Sequence, residues 1–326
     1  MNVAFFVRHF TERGTEVAVY DYANHNELIL KNKSYIICFT ESAQRKIGFP
    51  PMRHSYEKFK ARFPIIEISK MEDMAHVISD LSLNFFYTQT HGGKDIYQFN
   101  NKTIWNNCKT IKHCVFDTLY PESDFYISIS SQLNIKNRTN LPVIPYMVDL
   151  PDCDENLRGA LGIPVDATVF GRYGGMDQFD IKMAHQAIIE HVTADPHVYF
   201  LFMNTYKFYE HPRILYLDKQ IDPLEKVKFI NTCDAMIHAR AMGETFGLSG
   251  AEFSIKNKPV ITCSCGDTEH IAILGDKAVL YKSKDELVTI FKNIKSIALL
   301  HQDWNAYRNY TPTNIMKSFF DLIFSK

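Results

Sequence analysis

Two glutamates, Glu244 and Glu252, stand eight positions apart in the segment DAMIHARAMGETFGLSGAE that runs from residue 234 to residue 252. The apolar run ending at His238 reads as a strand, the stretch with Gly243 and Gly247 as a loop, and the residues from about Gly247 as the start of a helix. A helix start leaves backbone N–H groups unpaired and carries the positive end of the helix dipole. Thr245, Phe246, Gly247 and Leu248 would therefore line an anion site. A carboxylate does not favour a phosphate, but it accepts hydrogen bonds from hydroxyls. Glu244 on the loop and Glu252 about one turn into the helix suit a ligand with hydroxyls at both ends and a diphosphate between, which is the shape of a nucleotide-sugar. The same spacing also arises on a solvated loop and helix face, and taken alone it leaves both readings open.

Other groupings carry less. Cys263 and Cys265 with His270 have the residue types of a zinc site, but two cysteines one residue apart need two further ligands at suitable spacing, and none is evident. Asp152-Cys153-Asp154 is an acidic pair of the kind that can hold manganese at a strand end. Here it falls in a polar segment with Pro151, where acidic turn residues explain it. Gly171-Arg172-Tyr173-Gly174-Gly175 lacks the spacing of a dinucleotide-binding turn, and no G-x-S-x-G elbow marks a serine hydrolase.

The elements that must position these residues follow a strand–helix alternation. Strands are predicted over residues 2–7, 35–39, 65–68, 85–90, 115–116, 125–129 and 143–147, with helices over 15–30, 56–62 and 71–81. After a polar stretch at 150–155 the pattern restarts. Strands are expected at 168–173, 198–203, 214–217, 235–238, 259–263 and 279–281, and helices at 181–191, 224–232 and 248–255. A mostly helical stretch from Lys284 is interrupted at Pro312. Short apolar runs alternating with helices imply parallel sheets with crossover helices, whose ligands sit at the carboxyl ends of the strands.

The bulk composition agrees with two domains in 326 residues, 46% of them hydrophobic. A net charge of -1 leaves no basic surplus for nucleic acid. The apolar start ends at Arg8-His9, too short for a signal core, and no run is long enough for a membrane span. Seven scattered cysteines read as reduced thiols, which points to a cytoplasmic protein.

The spacing of Glu244 and Glu252 around Phe246-Gly247-Leu248 resembles the E-x7-E motif of retaining GT-B glycosyltransferases of the family 4, or group 1, type. The strand-like residues 234–238 before it and Pro259-Val260-Ile261-Thr262 after it are similar to the family's flanks. So are Glu269-His270-Ile271, Gly171-Arg172 and the segment 142–149. The likeness covers residues 142–281 in detail and the first 141 in outline.

The resemblance implies an α/β GT-B fold with two Rossmann-like parallel-sheet domains facing an interdomain cleft. An acceptor-side domain would span 1–149 and a nucleotide-sugar domain 150–310, with a C-terminal helix at 311–326 packing back on the first. It implies that Glu244 contacts the transferred sugar, Glu252 the ribose hydroxyls and Arg172 the diphosphate, with the backbone from Thr245 to Leu248 assisting. No cofactor is implied beyond the co-substrate, a UDP- or GDP-sugar, and no metal. The acceptor would be a glycan, a glycoprotein or a lipid-linked sugar.

The family usually has a lysine about five residues after the arginine. Asp177 and Gln178 stand there instead, and Lys182 is the nearest lysine. The glycine-rich loop usual after the first strand is replaced by a short polar segment, residues 8–14. For the histidine that faces the sugar, His91 is the better positional match and His113 the weaker. A nucleotide-sugar epimerase, a phosphorylase or a non-catalytic binding protein on the same fold are the alternative expectations.

Overall fold

The computed structural model describes residues 1–11, 14–46, 48, 50–94 and 96–325; Glu12 and Arg13 of the polar segment 8–14 lie outside them. The chain forms two compact units, Met1–Met147 with Tyr310–Lys326, and Val148–Asn309.

The first unit is built on β1 (Asn2–Val7), β2 (Lys33–Phe39), β3 (Ile65–Ile68), β4 (Phe85–Thr90), β5 (Lys109–Cys114) and β6 (Phe125–Ser128), arranged β3-β2-β1-β4-β5-β6. All five pairings are parallel. The second unit repeats the plan with β7 (Thr168–Tyr173), β8 (Val198–Met203), β9 (Ile214–Leu217), β10 (Ala235–Ile237), the short β11 (Gly243–Glu244), β12 (Val260–Cys263), the short β13 (Asp267–Thr268) and β14 (Ala278–Tyr281). Its main sheet runs β14-β12-β10-β7-β8-β9, and β11 pairs with β13 alone. Counted within each unit, both sheets therefore have the order 3-2-1-4-5-6. The direction of winding reverses between β1 and β4 in one and between β7 and β10 in the other. Ligands of such sheets bind beside that reversal, outside the carboxyl ends of the strands.

Fully apolar strands form because helices cover both faces of a parallel sheet. β1 and β8 read NVAFFV and VYFLFM and are buried almost throughout. In the second unit Phe170, Phe200, Ile188 and Phe291 meet in one core, with Phe170 and Phe200 stacked at 5.2 Å between ring centroids. In the first unit Phe6, Tyr97, Phe86 and Trp105 form the corresponding cluster.

Four expectations need correction. The strand placed at 115–116 is Lys109–Cys114, a run whose buried polar side chains each find a partner. Thr110 bonds Asp124, and the Lys112 ammonium reaches the carbonyls of Gly93 and Tyr120. Residues 143–147 form no strand beyond a single bridge of Val143 to Ser128, because Pro142 and Pro145 have no N–H to give a ladder. Pro312 does not interrupt a helix; it opens one, Pro312–Phe319, as its first residue after the Thr311 cap. The stretch 71–81 is divided into a 3-10 turn, Met71–Asp73, and the helix Met74–Leu81.

The segment from Tyr310 completes the first unit. Phe319 is fully buried, with its ring 5.4 Å from that of Tyr22 and 5.8 Å from that of Tyr87, and Phe324 packs on Phe85 at 4.6 Å.

Candidate functional site

The carboxyl end of β7 places two neighbouring side chains, Arg172 and Tyr173, beside the reversal point of the second sheet. Arg172 is 4% exposed. One of its terminal nitrogens donates to Thr205 Oγ1 at 2.5 Å and Asn204 O at 3.2 Å, the other to Gly175 O at 2.8 Å. These partners are neutral. Burial lowers the guanidinium pKa to about 10, partly offset by the nearby Glu244 carboxylate, while Arg240 adds a second positive charge close enough to bear on it. At neutral pH Arg172 is thus a desolvated cation with its positive charge held by dipoles.

Glu244 lies on β11, where its unit is pinned by strand pairing to Asp267–Thr268. Its Oε1 faces His238 Nε2 at 3.3 Å, and its Oε2 accepts from Arg240 Nη1 at 3.0 Å. Burial alone would push the carboxyl pKa up. The hydrogen bond and charge of His238, with the guanidinium of Arg240, outweigh that and hold it at about 2. Behind it, His238 Nδ1 meets Thr262 Oγ1 at 2.8 Å, which meets His270 Nε2 at 3.0 Å. Burial drives the His270 pKa down to about 3, so this ring is neutral. The His270 ring, the Thr262 hydroxyl and the His238 ring thus form one hydrogen-bonded row that ends on the Glu244 carboxylate. Glu244 is consequently a fixed anion.

Between the carboxylates the chain turns through Thr245, Phe246 and Gly247 into the helix Leu248–Ile255, all three turn residues being buried. Gly247 has φ +84°, and a Cβ there would come 3.0 Å from the His270 Cβ and 3.3 Å from the Glu244 Cβ. Conformation and space both demand glycine. The Phe246 carbonyl accepts from the Tyr307 hydroxyl at 3.0 Å, which fixes the turn from below.

Glu252 sits on that helix, 7% exposed. Its Oε1 accepts from Lys226 Nζ at 2.6 Å, and its Oε2 from the Tyr173 hydroxyl in a short hydrogen bond. The Lys226 ammonium also lies 5.7 Å from the centroid of the Tyr173 ring. Burial, with the charge of Glu252, keeps the Tyr173 phenol protonated well above its ordinary range.

The expected residues fall into two groups. Arg172, Glu244, Glu252 and the turn from Thr245 to Leu248 come together in the second unit. Lys182 opens the helix Lys182–Ala194 with an exposed side chain and makes none of the contacts above. His91 belongs to the first unit, just past β4. Its ring is exposed beside Phe116 at 5.3 Å, and its carbonyl accepts from Phe116 and Asp117 N–H. His113 is buried in β5 against the Tyr87 hydroxyl at 2.8 Å, and burial takes its pKa to about 3.

Tyr173, Lys226, His238 and Arg240 were not signalled by spacing. Lys226 reaches Glu252 from the helix Pro223–Thr232, 26 positions away in the chain. His238 and Arg240 lie inside the segment 234–252, and Arg240 reaches Glu244 through the loop that joins β10 to β11. Asp152 pairs with Lys256 at 3.3 Å, and among the described residues no group of three or more His, Cys, Asp or Glu could hold a metal.

No protein-family model and no curated protein matches the sequence. Solved structures match the fold over its whole length. HepE from Anabaena, in complex with UDP-glucose, superimposes with a TM-score of 0.75 at 14% identity, covering 100% of both chains. The fold is GT-B. A glycosyltransferase from Rickettsia africae shares this GT-B architecture with a TM-score of 0.69 at 14% identity, covering 98% of this chain and 94% of its own. The UDP-GlcNAc 2-epimerase from Neisseria meningitidis, bound to UDP-GlcNAc, does so with 0.62 at 10% identity, over 100% of both chains. The GT-B fold thus hosts both transfer and epimerisation among these neighbours.

Proposed function

We propose that this GT-B chain transfers a sugar from a nucleoside diphosphate sugar to an acceptor hydroxyl, with retention of configuration and with fixed protein cations in place of a metal ion. The observation that carries the reading is the end of β7. There Arg172 lies within the electrostatic reach of Glu244, and its neighbour Tyr173 holds Glu252. A desolvated guanidinium stabilises the charge that grows on a departing diphosphate far better than a hydrated one. Glu244, ionised by Arg240 and His238, accepts hydrogen bonds from hydroxyls of the transferred sugar and positions it. Its low pKa makes it unsuited to proton transfer. In front-face attack the acceptor oxygen bonds the anomeric carbon as the bond to the diphosphate breaks, and the acceptor proton passes to the departing phosphate oxygen. Glu252 takes the ribose hydroxyls. Uridine is favoured over guanosine because neighbours of this fold hold UDP-glucose and UDP-GlcNAc. A glycan, glycoprotein or lipid-linked sugar in the cytoplasm would be the acceptor.

The test is thermal stability against UDP, GDP, ADP and their sugars in EDTA, since a ligand of the native state raises the melting temperature by mass action. A shift with one nucleotide, lost in Arg172→Ala and Glu252→Ala, followed by transfer with retention, is the expected result. No shift with any of them, with or without manganese, removes the donor-site reading. Conversion of the donor without acceptor would mark an epimerase, the reading supported by the full-length likeness to the Neisseria enzyme. Dependence on inorganic phosphate would mark a phosphorylase, and binding without turnover a non-catalytic protein.

A further inference from the structure

We infer that Lys226 and Tyr173 are positioning residues that turn Glu252 into a reader of the ribose diol, and so set selectivity for ribonucleotides over 2′-deoxyribonucleotides. The inference rests on the donor-site reading above. It starts from a count of lone pairs. An ionised carboxylate offers about four acceptor positions, two on each oxygen. Lys226 Nζ occupies one on Oε1 at 2.6 Å, and the Tyr173 hydroxyl occupies one on Oε2. One position per oxygen remains, and a vicinal diol brings two donors to meet them. A carboxylate bonded on one oxygen alone would be free to rotate about its terminal torsion; held on both, it presents its remaining positions in one orientation.

The surroundings make the arrangement stiff. Tyr173 is the last residue of β7 and stacks on Phe253 at 5.6 Å between centroids, with Phe229 edge-on at 5.7 Å. Lys226 stands in the first turns of a helix capped by Asp222, and its ammonium is half the clamp and a cation over the Tyr173 ring. The side chains of Lys226 and Glu252 are 15% and 9% exposed, so the pair is largely desolvated but not sealed off. Without the ammonium, a buried carboxylate would lose its charge partner and one of the two bonds that fix its orientation.

The experiment is calorimetric binding of UDP, GDP and their 2′-deoxy counterparts to the full chain and to Lys226→Met, Lys226→Arg and Tyr173→Phe. The wild type should prefer the ribonucleotide by roughly tenfold or more, the worth of a hydrogen bond to a charged group. In Lys226→Met the ribonucleotide should weaken by about that factor while the deoxynucleotide changes little, so that the preference collapses. Lys226→Arg, which keeps a cation, should retain it, and Tyr173→Phe should reduce it in part. A preference that survives both Lys226→Met and Tyr173→Phe overturns the inference, as does tighter ribonucleotide binding by Lys226→Met, which would make the lysine a competitor of the ligand. Wild-type binding without any preference overturns the inference and leaves the donor site standing. Wild-type binding of no nucleotide overturns both. Should Lys226→Met fail to fold, the selectivities of Tyr173→Phe and Lys226→Arg decide in the same way.

Discussion

The two units share one strand order and differ in what stands at the point where it reverses. In the second unit that point carries Arg172 and Tyr173 from β7, and His238, Arg240 and Glu244 from the segment after β10; His238 and Arg240 bond Glu244, Tyr173 bonds Glu252, and Arg172 feels the Glu244 charge. In the first unit the corresponding strand ends lead into Arg8 and His91. Its buried cation, Lys112, is directed at backbone carbonyls of Gly93 and Tyr120 and stands 3.7 Å from Glu122. The same topology thus uses buried charge for loop closure in one unit and assembles it around two carboxylates in the other. Topology fixes where a site can be, and the chemistry of a few strand-end residues decides whether one is there.

The sharpest way to break this contrast is to remove one cation from each unit. Arg172→Ala should lower sugar-transfer kcat by roughly a hundredfold or more, the scale of losing a preorganised group that meets transition-state charge. Lys112→Met should leave nucleotide affinity intact and lower the unfolding free energy by about 2 kcal/mol, since three acceptors lose a buried partner. Denaturant titration and steady-state kinetics on both variants check the pair, and equal loss of activity in the two would erase the distinction.

Glu244→Gln sharpens it further. The amide keeps the shape, loses the charge, and cannot accept from both His238 and Arg240. We expect kcat to fall by about tenfold to a hundredfold with little change in KM, because on the proposed reading the carboxylate acts on the reacting sugar. Full activity in this variant would remove Glu244 from its assigned role. Gly247→Ala, at φ +84° with a Cβ only 3.0 Å from that of His270, should cost about 1–3 kcal/mol of stability and weaken nucleotide binding together. An unchanged melting temperature would show that the turn is less constrained than its geometry requires.

The smallest effect compares a buried histidine in each unit. His113 and His270 both have pKa values near 3, against an ordinary 6.5, because burial disfavours the charged ring. Between those values the unfolded chain binds a proton that the folded chain does not, so stability falls on acidification below pH 6.5 and is level above it. The slope is at most about 1.4 kcal/mol per pH unit for each ring. Glu244, held at about 2 against 4.5, adds its own loss only below pH 4.5. Replacing His113 by Phe should make the slope between pH 4.5 and 6.5 shallower by up to about 1.4 kcal/mol per pH unit, with His270 and the burial-lowered His185, His191 and His211 supplying the rest, measured as denaturant midpoint against pH; an unaltered slope would locate the proton uptake elsewhere.

Much of this molecule was legible in its sequence, for identifiable reasons. Buried parallel strands such as FFV in β1 and YFLFM in β8 announce themselves as uninterrupted apolar runs. The strand KTIKHC does not, because each of its polar side chains finds its own partner inside the protein and the apolar signal vanishes. The two carboxylates of the candidate site stand out in the sequence because they are close in the chain and framed by glycines. Lys226 was invisible because nothing local links it to Glu252; only folding brings the two helices together. Lys182, chosen for being the nearest lysine in sequence, shows the converse: its place at the start of an exposed helix face puts it among none of the site's contacts.

The first unit is closed by residues from Tyr310 onward, with Phe319 and Phe324 packed tilted or edge-on against Tyr22, Tyr87 and Phe85. On the ribosome, therefore, the six strands of that unit emerge first yet wait for the residues from Tyr310 onward to cover them. The whole of the second unit is synthesised in between and can complete its own fold beforehand. The order of assembly runs opposite to the order of translation, and a chain released shortly before residue 310 would carry a finished second unit and a first whose apolar aromatic face still awaits its lid.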